Sequence, residues 1–171
     1  PKERATALES GADVIVTNYD NLQWLAEQEF AFDAVVFDEL TKLKNPSGKR
    51  FKAIEKLLKP INIRWGLTGS FTSNGLEDVF GQCKIVDQKL LGRSKGAFMQ
   101  QYFVLVNKDF GEWAPRASSL PLIMDRIKPA TFVLDAAGTP VAQGSLTVPL
   151  RLTTVVPLVP SPQSWVRLAS A

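Results

Sequence analysis

Two short apolar runs, each introduced by an acid, set the first rhythm of the chain: Val14-Ile15-Val16-Thr17 after Asp13, and Ala34-Val35-Val36-Phe37 after Asp33. Continuous runs of this length, rich in β-branched residues, predict buried strands of a parallel sheet. Between them Leu22 and Leu25 recur at helical spacing, and Asn18 or Asp20 can cap a helix predicted to end near Phe30. Residues 40–46 read as a loop. From Ser47 as cap, a second helix is predicted to reach about Lys59. It carries Phe51, Ile54, Leu57 and Leu58 on one face and Lys49, Lys52, Lys56 and Lys59 largely on another. Pro60 stops it, and residues 61–67 make a third strand that breaks at Thr68-Gly69-Ser70. Asn74 then caps a helix with Glu77 and Asp78 in its first turn, where carboxylates suit the helix dipole, and with Leu76, Val79, Phe80 and Cys83 along its apolar stripe.

Regular alternation of strand and helix predicts an α/β layer with a mostly parallel sheet, whose ligands sit at the carboxyl ends of the strands. Further on, residues 94–102 are predicted helical, 104–116 a loop or hairpin, 118–127 helical, and 131–134 a short strand. All 17 acidic residues lie at or before Asp135. Residues 136–171 hold no acid and no lysine, only Arg151 and Arg167 as charges, and Pro140, Pro149, Pro157, Pro160 and Pro162 among Thr, Val, Ser and Leu. A division into 1–135 and an atypical 136–171 tail follows. The tail reads as an extended, poorly packed segment, a small β appendage, or a stretch out of the natural reading frame.

Composition narrows the chemistry. With one cysteine, Cys83, and no histidine in 171 residues, internal disulfides, Cys/His metal sites and histidine acid–base catalysis are excluded. Any reaction must rest on carboxylates, hydroxyls, amines and backbone. No apolar run approaches the roughly 20 residues of a membrane span, and Pro1-Lys2-Glu3-Arg4 has neither an initiator Met nor a signal-peptide profile. A soluble cytoplasmic protein without membrane partners is expected, cut from something longer. The net charge of +3 is modest, but residues 40–64 hold eight basic side chains against the single acid Glu55. Such a segment can meet a polyanion, or can simply be a solvated helix face.

Asp38-Glu39 closes the second apolar strand and places two carboxylates at the sheet's catalytic edge. In nucleotide hydrolysis such an Asp holds Mg²⁺ through its water shell, while the Glu orients and deprotonates the attacking water. An acidic pair after a strand can also do no more than cap a loop. Its surroundings distinguish the two. The pair runs on into Lys44-Asn45, and the next strand ends in Leu67-Thr68-Gly69-Ser70, followed by Asn74, Leu76 and Glu77. Upstream stands Asp13 to Asp20 with its Thr17-Asn18-Tyr19, and downstream Leu91 to Phe98 and Tyr102-Phe103.

These four segments, in this order over residues 11–103, resemble the Swi/Snf group of superfamily-two helicase-like ATPases (DEAD/DEAH-box-like), in a form nearest the shorter bacteriophage or bacterial versions. The resemblance implies the C-terminal part of a first RecA-like (P-loop NTPase) lobe, three-layered. It implies ATP and Mg²⁺ as cofactors, duplex DNA gripped without sequence preference as partner, and work in a bacterial or phage-infected cytoplasm. Asp38 would hold the metal and Glu39 the water. Thr41, Lys44, Asn45, Thr68, Gly69, Ser70 and Asn74 would couple the nucleotide site to movement, although a turn after a strand accounts for Thr68 and Ser70 as well. Thr41 stands where the family has His, Ser70 where it has Thr, and Phe71 where it has Pro. The family's His couples the two motifs; Thr41 and Ser70 offer hydroxyls.

No Gly-x-x-x-x-Gly-Lys-Ser/Thr phosphate loop occurs in the sequence. In the family that loop precedes the segment matched here, and a second RecA-like lobe with arginine fingers follows it. Both are expected in a parent protein, so the isolated chain is expected to hydrolyse ATP negligibly. For DNA, the candidates are Lys49, Lys52 and Lys56, with Thr17, Asn18 and Tyr19, where related lobes touch the backbone; a helix cap with a packed ring is the alternative for the latter three. Trp24 and Trp65 are expected in the core rather than stacked on bases. A reading from another class remains open: a non-catalytic nucleic-acid-binding or interaction module that keeps part of the lobe's shape.

Overall fold

A computed structural model describes residues 2–69, 72, 74–131 and, as backbone, 155–157. The chain divides into two compact units, Pro1–Phe30 with Thr147–Ala171, and Ala31–Leu146. The predicted change of character at residue 135 and the 131–134 strand beyond Thr131 lie outside the described residues, as does the tail apart from one short strand.

In the first unit, helix α1 (Lys2–Leu8) leads to strand β1 (Val14–Val16), a 3₁₀ turn (Tyr19–Asn21) and the four-residue helix α2 (Leu22–Leu25). The helix predicted to reach Phe30 stops early. Glu27 and Gln28 donate their amides three residues back, to Trp24 O and Leu25 O, and the Gln28 side chain donates to Trp24 O as well, so the last turn tightens and ends. β1 pairs in parallel with β6 (Val155–Pro157), Val14 facing Val155 and Val16 facing Pro157. Parallel pairing agrees with the sequence pattern, but burial does not. Val14 and Ile15 are half-buried and Val16 is exposed, because among the described residues this is a ladder of two strands.

The second unit opens with β2 (Ala34–Phe37), a 3₁₀ helix (Leu40–Leu43), α3 (Lys49–Leu57) and β3 (Ile63–Gly66). β2 and β3 pair in parallel, with Ala34 facing Ile63 and Phe37 facing Gly66, so residues 34–66 form a βαβ unit with α3 as its crossover. Ser47 is not the cap of α3: Gly48 takes that position without a side-chain bond, and Ser47 donates its amide to Asn45 Oδ1 at 3.0 Å. Phe51, Ile54 and Leu58 are buried, as predicted, and Lys49, Lys52, Lys56 and Lys59 are exposed.

α4 (Asp78–Val86) is buried nearly all round, through Val79, Phe80, Gly81, Gln82, Cys83 and Ile85. On one side it packs on β3 and the 3₁₀ helix Leu40–Leu43. On the other, Val79, Phe80 and Cys83 join Phe98 and Tyr102 of α5 (Lys95–Tyr102), Phe103 of β4 (Phe103–Asn107), and Ile123 and Ile127 of α6 (Ser119–Ile127) in one apolar cluster. Phe98 is its centre, with ring centroids 5.1 Å from Phe80 and Tyr102 and 5.7 Å from Phe103. Burial pushes the Cys83 thiol up to about 12. α5 is capped by Ser94, whose Oγ accepts from Ala97 N at 3.3 Å, and the predicted loop or hairpin is a hairpin of β4 with β5 (Glu112–Pro115).

The observed architecture is mixed α/β. Among the described residues the strands form three two-stranded sheets, two parallel and one antiparallel, rather than one continuous parallel sheet. One face of β2–β3 is correspondingly uncovered: Val36, Ile63, Trp65 and Leu67 are 55%, 49%, 37% and 50% exposed. Trp65 is therefore not a core residue, since it faces away from the buried Phe37 side. Trp24 is half-buried.

Candidate functional site

The carboxyl ends of β2 and β3 are joined through one residue. Leu67 donates its amide to Phe37 O and accepts from Leu40 N, both at 2.8 Å. Asp38 and Glu39, lying between those two partners, loop out of the ladder beside Thr68. Glu39 has φ 52° and ψ 55°, and among the described residues it is the one non-glycine with positive φ. A left-handed Glu costs roughly 1–2 kcal/mol, and such outliers gather at functional turns. The strain is held in place downstream, where Leu40 and Leu43 are buried. Gly66 lets this happen: a Cβ there would lie 2.4 Å from Leu40 Cδ2.

Both carboxylates are exposed, and Asp38 Oδ1 accepts from Glu39 N at 3.0 Å. Among the described residues no group of three or more His, Cys, Asp or Glu could hold a metal ion. An exposed Asp at a sheet edge nevertheless suits Mg²⁺, which keeps several waters and takes one or two carboxylates plus phosphate oxygens. The residues fit a metal brought with a nucleotide and do not form an all-protein cage.

Lys44 and Asn45 carry the chain away from the pair. Lys44 Nζ lies 2.9 Å from Asp78 Oδ2, with side chains 28% and 13% exposed. The same oxygen accepts from Asn74 N at 3.3 Å. Asn74 was expected to cap α4, yet the bond runs the other way, from its main chain to a first-turn carboxylate, and Glu77 occupies the cap position without a side-chain bond. Thr41 is half-buried in the 3₁₀ helix, its carbonyl accepting from Lys44 N. Thr68 is half-buried and Gly69 exposed; Ser70 lies outside the described residues.

Sequence reading missed Gly81 and the role of Asp78. A Cβ on Gly81 would lie 2.1 Å from Lys44 O, 2.4 Å from Lys44 C and 2.8 Å from Leu43 O, so the backbones of α4 and the Leu43–Lys44 turn nearly touch. A glycine inside a helix of apolar residues was the available signal for such an approach. Asp78 had none, because its partner is 34 residues away.

Of the basic segment, Arg64 is structural: it donates to Ile61 O, Leu58 O and, at 3.5 Å, Ile85 O, tying off the ends of α3 and α4. Glu55, the segment's acid, pairs with Lys84 at 3.2 Å. What remains toward solvent is a basic face on α3. In the first unit, Asn18 Oδ1 accepts from Asn21 N at 3.1 Å and Thr17 Oγ1 from Asn21 Nδ2 at 3.2 Å, with Tyr19 half-buried. Asn18 thus caps the 3₁₀ turn, and Thr17 holds the Asn21 side chain.

No protein-family model matches the chain. Over 149 residues it is 35% identical to protein p41 of Acyrthosiphon pisum secondary endosymbiont phage 1, a match covering 80% of this chain and 32% of that protein. It is also similar to the SWI2/SNF2 ATPase core of Sulfolobus solfataricus, solved in complex with dsDNA, at 25% identity and a TM-score of 0.46, over 65% of this chain and 22% of that one. The chain thus spans about a third of the length of the phage protein it matches. No helix among the described residues is long and apolar enough to cross a membrane.

Proposed function

We propose that this chain is the C-terminal part of the first RecA-like lobe of a DNA-dependent, Swi/Snf-type ATPase working in a bacterial or phage-infected cytoplasm. The observation that carries the reading is the double tie at Leu67, which sets the acidic pair beside Thr68 at the carboxyl edge of a parallel strand pair. This is where ligands of α/β sheets collect. It gives spatial meaning to the order of motifs in the sequence.

In this reading Asp38 holds Mg²⁺ through water, and the metal, when bound with ATP, neutralises charge on the phosphates. Glu39, exposed on its left-handed turn, orients the attacking water and takes its proton. Thr41, Lys44, Asn45, Thr68, Gly69, Ser70 and Asn74 connect this edge to the neighbouring lobe. Lys49, Lys52 and Lys56 meet DNA phosphates without reading bases. Thr17, Asn18 and Tyr19 supply a second backbone contact. The phosphate loop and the arginine-bearing second lobe belong to the remainder of the same protein.

The test uses the gene that encodes this segment. A phosphate-loop motif upstream and an arginine motif downstream support the reading, whereas their absence favours a non-catalytic binding module. In the protein joining all three, Glu39→Gln is expected to lower DNA-stimulated turnover by about 10²–10⁴ while ATP still binds. Turnover unchanged by Glu39→Gln would refute the assignment.

A further inference from the structure

Asp78 stands where the two segments of the site converge. One of its oxygens receives the Lys44 ammonium at 2.9 Å and the Asn74 amide at 3.3 Å. Lys44 follows the acidic pair, and Asn74 follows Thr68-Gly69. The segments are therefore pinned twice, by Leu67 at the strand ends and by Asp78 farther along. An acceptor shared by two donors makes their positions interdependent. When the ammonium leaves, the carboxylate loses its strongest restraint and can turn toward water, loosening its hold on the amide.

We infer that Asp78 is a positioning residue through which Lys44 fixes Asn74, so that displacement of the turn after Asp38-Glu39 is passed to Asn74 at the approach to α4. What this linkage serves rests on the hydrolytic reading above; the linkage itself does not. Asp78 contributes charge and geometry, and needs no contact with nucleotide.

Amide hydrogen exchange on the 171-residue chain tests it. In Lys44→Met, exchange at the Asn74 amide should quicken about tenfold, the loss expected when one charge-assisted bond is weakened. An ammonium cannot accept from that amide, so the effect is not the loss of a direct bond between them, and Asp78 Oδ2 is the acceptor they share. Amides of the β2–β3 ladder should keep their protection, and Lys44→Arg should restore the wild-type rate at Asn74. Lys44→Gln serves the same comparison if the Met variant does not fold. An unchanged Asn74 rate overturns the proposal, and so does a uniform rise that includes the ladder, which marks general destabilisation. In the ATP-hydrolysing protein, Asp78→Asn should lower kcat with the KM for ATP unchanged. If the exchange result holds and the protein joining this segment to its phosphate loop and second lobe shows no ATP turnover, the linkage stands and the hydrolytic reading falls.

Discussion

Replacing Gly81 by Ala sets two physical rules against each other. Within an exposed helix, Gly→Ala stabilises by about 1 kcal/mol through backbone entropy. Gly81 is buried, however, and the new Cβ would stand 2.1 Å from Lys44 O and 2.4 Å from Lys44 C. Those are backbone atoms of a turn anchored by the fully buried Leu43, so no side-chain rotation relieves the overlap. Restoring ordinary contact near 3.4 Å requires α4 and the turn to separate by over 1 Å, which costs about 1–3 kcal/mol as overpacking and strains the Lys44–Asp78 pair by roughly another 1. Net destabilisation of about 1–3 kcal/mol is expected after the helical gain is subtracted. Urea unfolding at 25 °C, followed by circular dichroism, reads this as a lower midpoint with an unchanged slope. A Gly81→Ala protein as stable as wild type, or more so, would refute the close approach of the two backbones.

Glu39→Gly relieves the left-handed strain and should be more stable than Glu39→Ala by about 1 kcal/mol, while removing the carboxylate; equal stabilities would mean that Glu39 is not held at positive φ. The unfolded Cys83 thiol ionises near 9.0 and the folded one near 12, so between those values the folded state keeps the proton and stability falls as pH rises, by about 1.4 kcal/mol per unit. Wild type should lose urea resistance faster than Cys83→Ala from pH 9.5 to 11, and parallel losses would contradict the burial. For DNA, Lys49, Lys52 and Lys56 changed together to Gln should flatten the slope of log K against log salt by about 2.7, and an unaltered slope would return α3 to a plain solvated face. The isolated chain should show no magnesium-dependent ATP turnover above a Glu39→Gln control, and clear turnover would sink the division of labour proposed here.

Periodicity made most elements legible. The α3 stripe of Phe51, Ile54 and Leu58 and the helices over 94–102 and 118–127 emerged because each buries one face. Caps were less legible: Gly48 rather than Ser47 stands at the start of α3, and Glu77 rather than Asn74 at the start of α4, because the winner depends on where the chain enters. Burial of strands was overestimated. Val16, Val36 and Trp65 look like core by composition, yet a strand's burial is decided by neighbours that a local pattern does not name. The acidic pair and Thr68 were each visible as motifs, whereas their tie through Leu67 was not, because hydrogen bonds of the main chain leave no mark on residue identity. Asp78 and Gly81 acquire meaning only through Lys44, more than thirty residues away.

That same invisibility makes the Leu67 junction durable under heredity. Mutation rewrites side chains, but both bonds there are written in main-chain atoms, so every residue except proline spells them identically. The junction can therefore outlast changes of side chain at 67 itself, whereas Gly66 stays constrained by the Leu40 side chain beside it. Proline, which lacks the amide, is the letter the alphabet forbids at 67 and at 40.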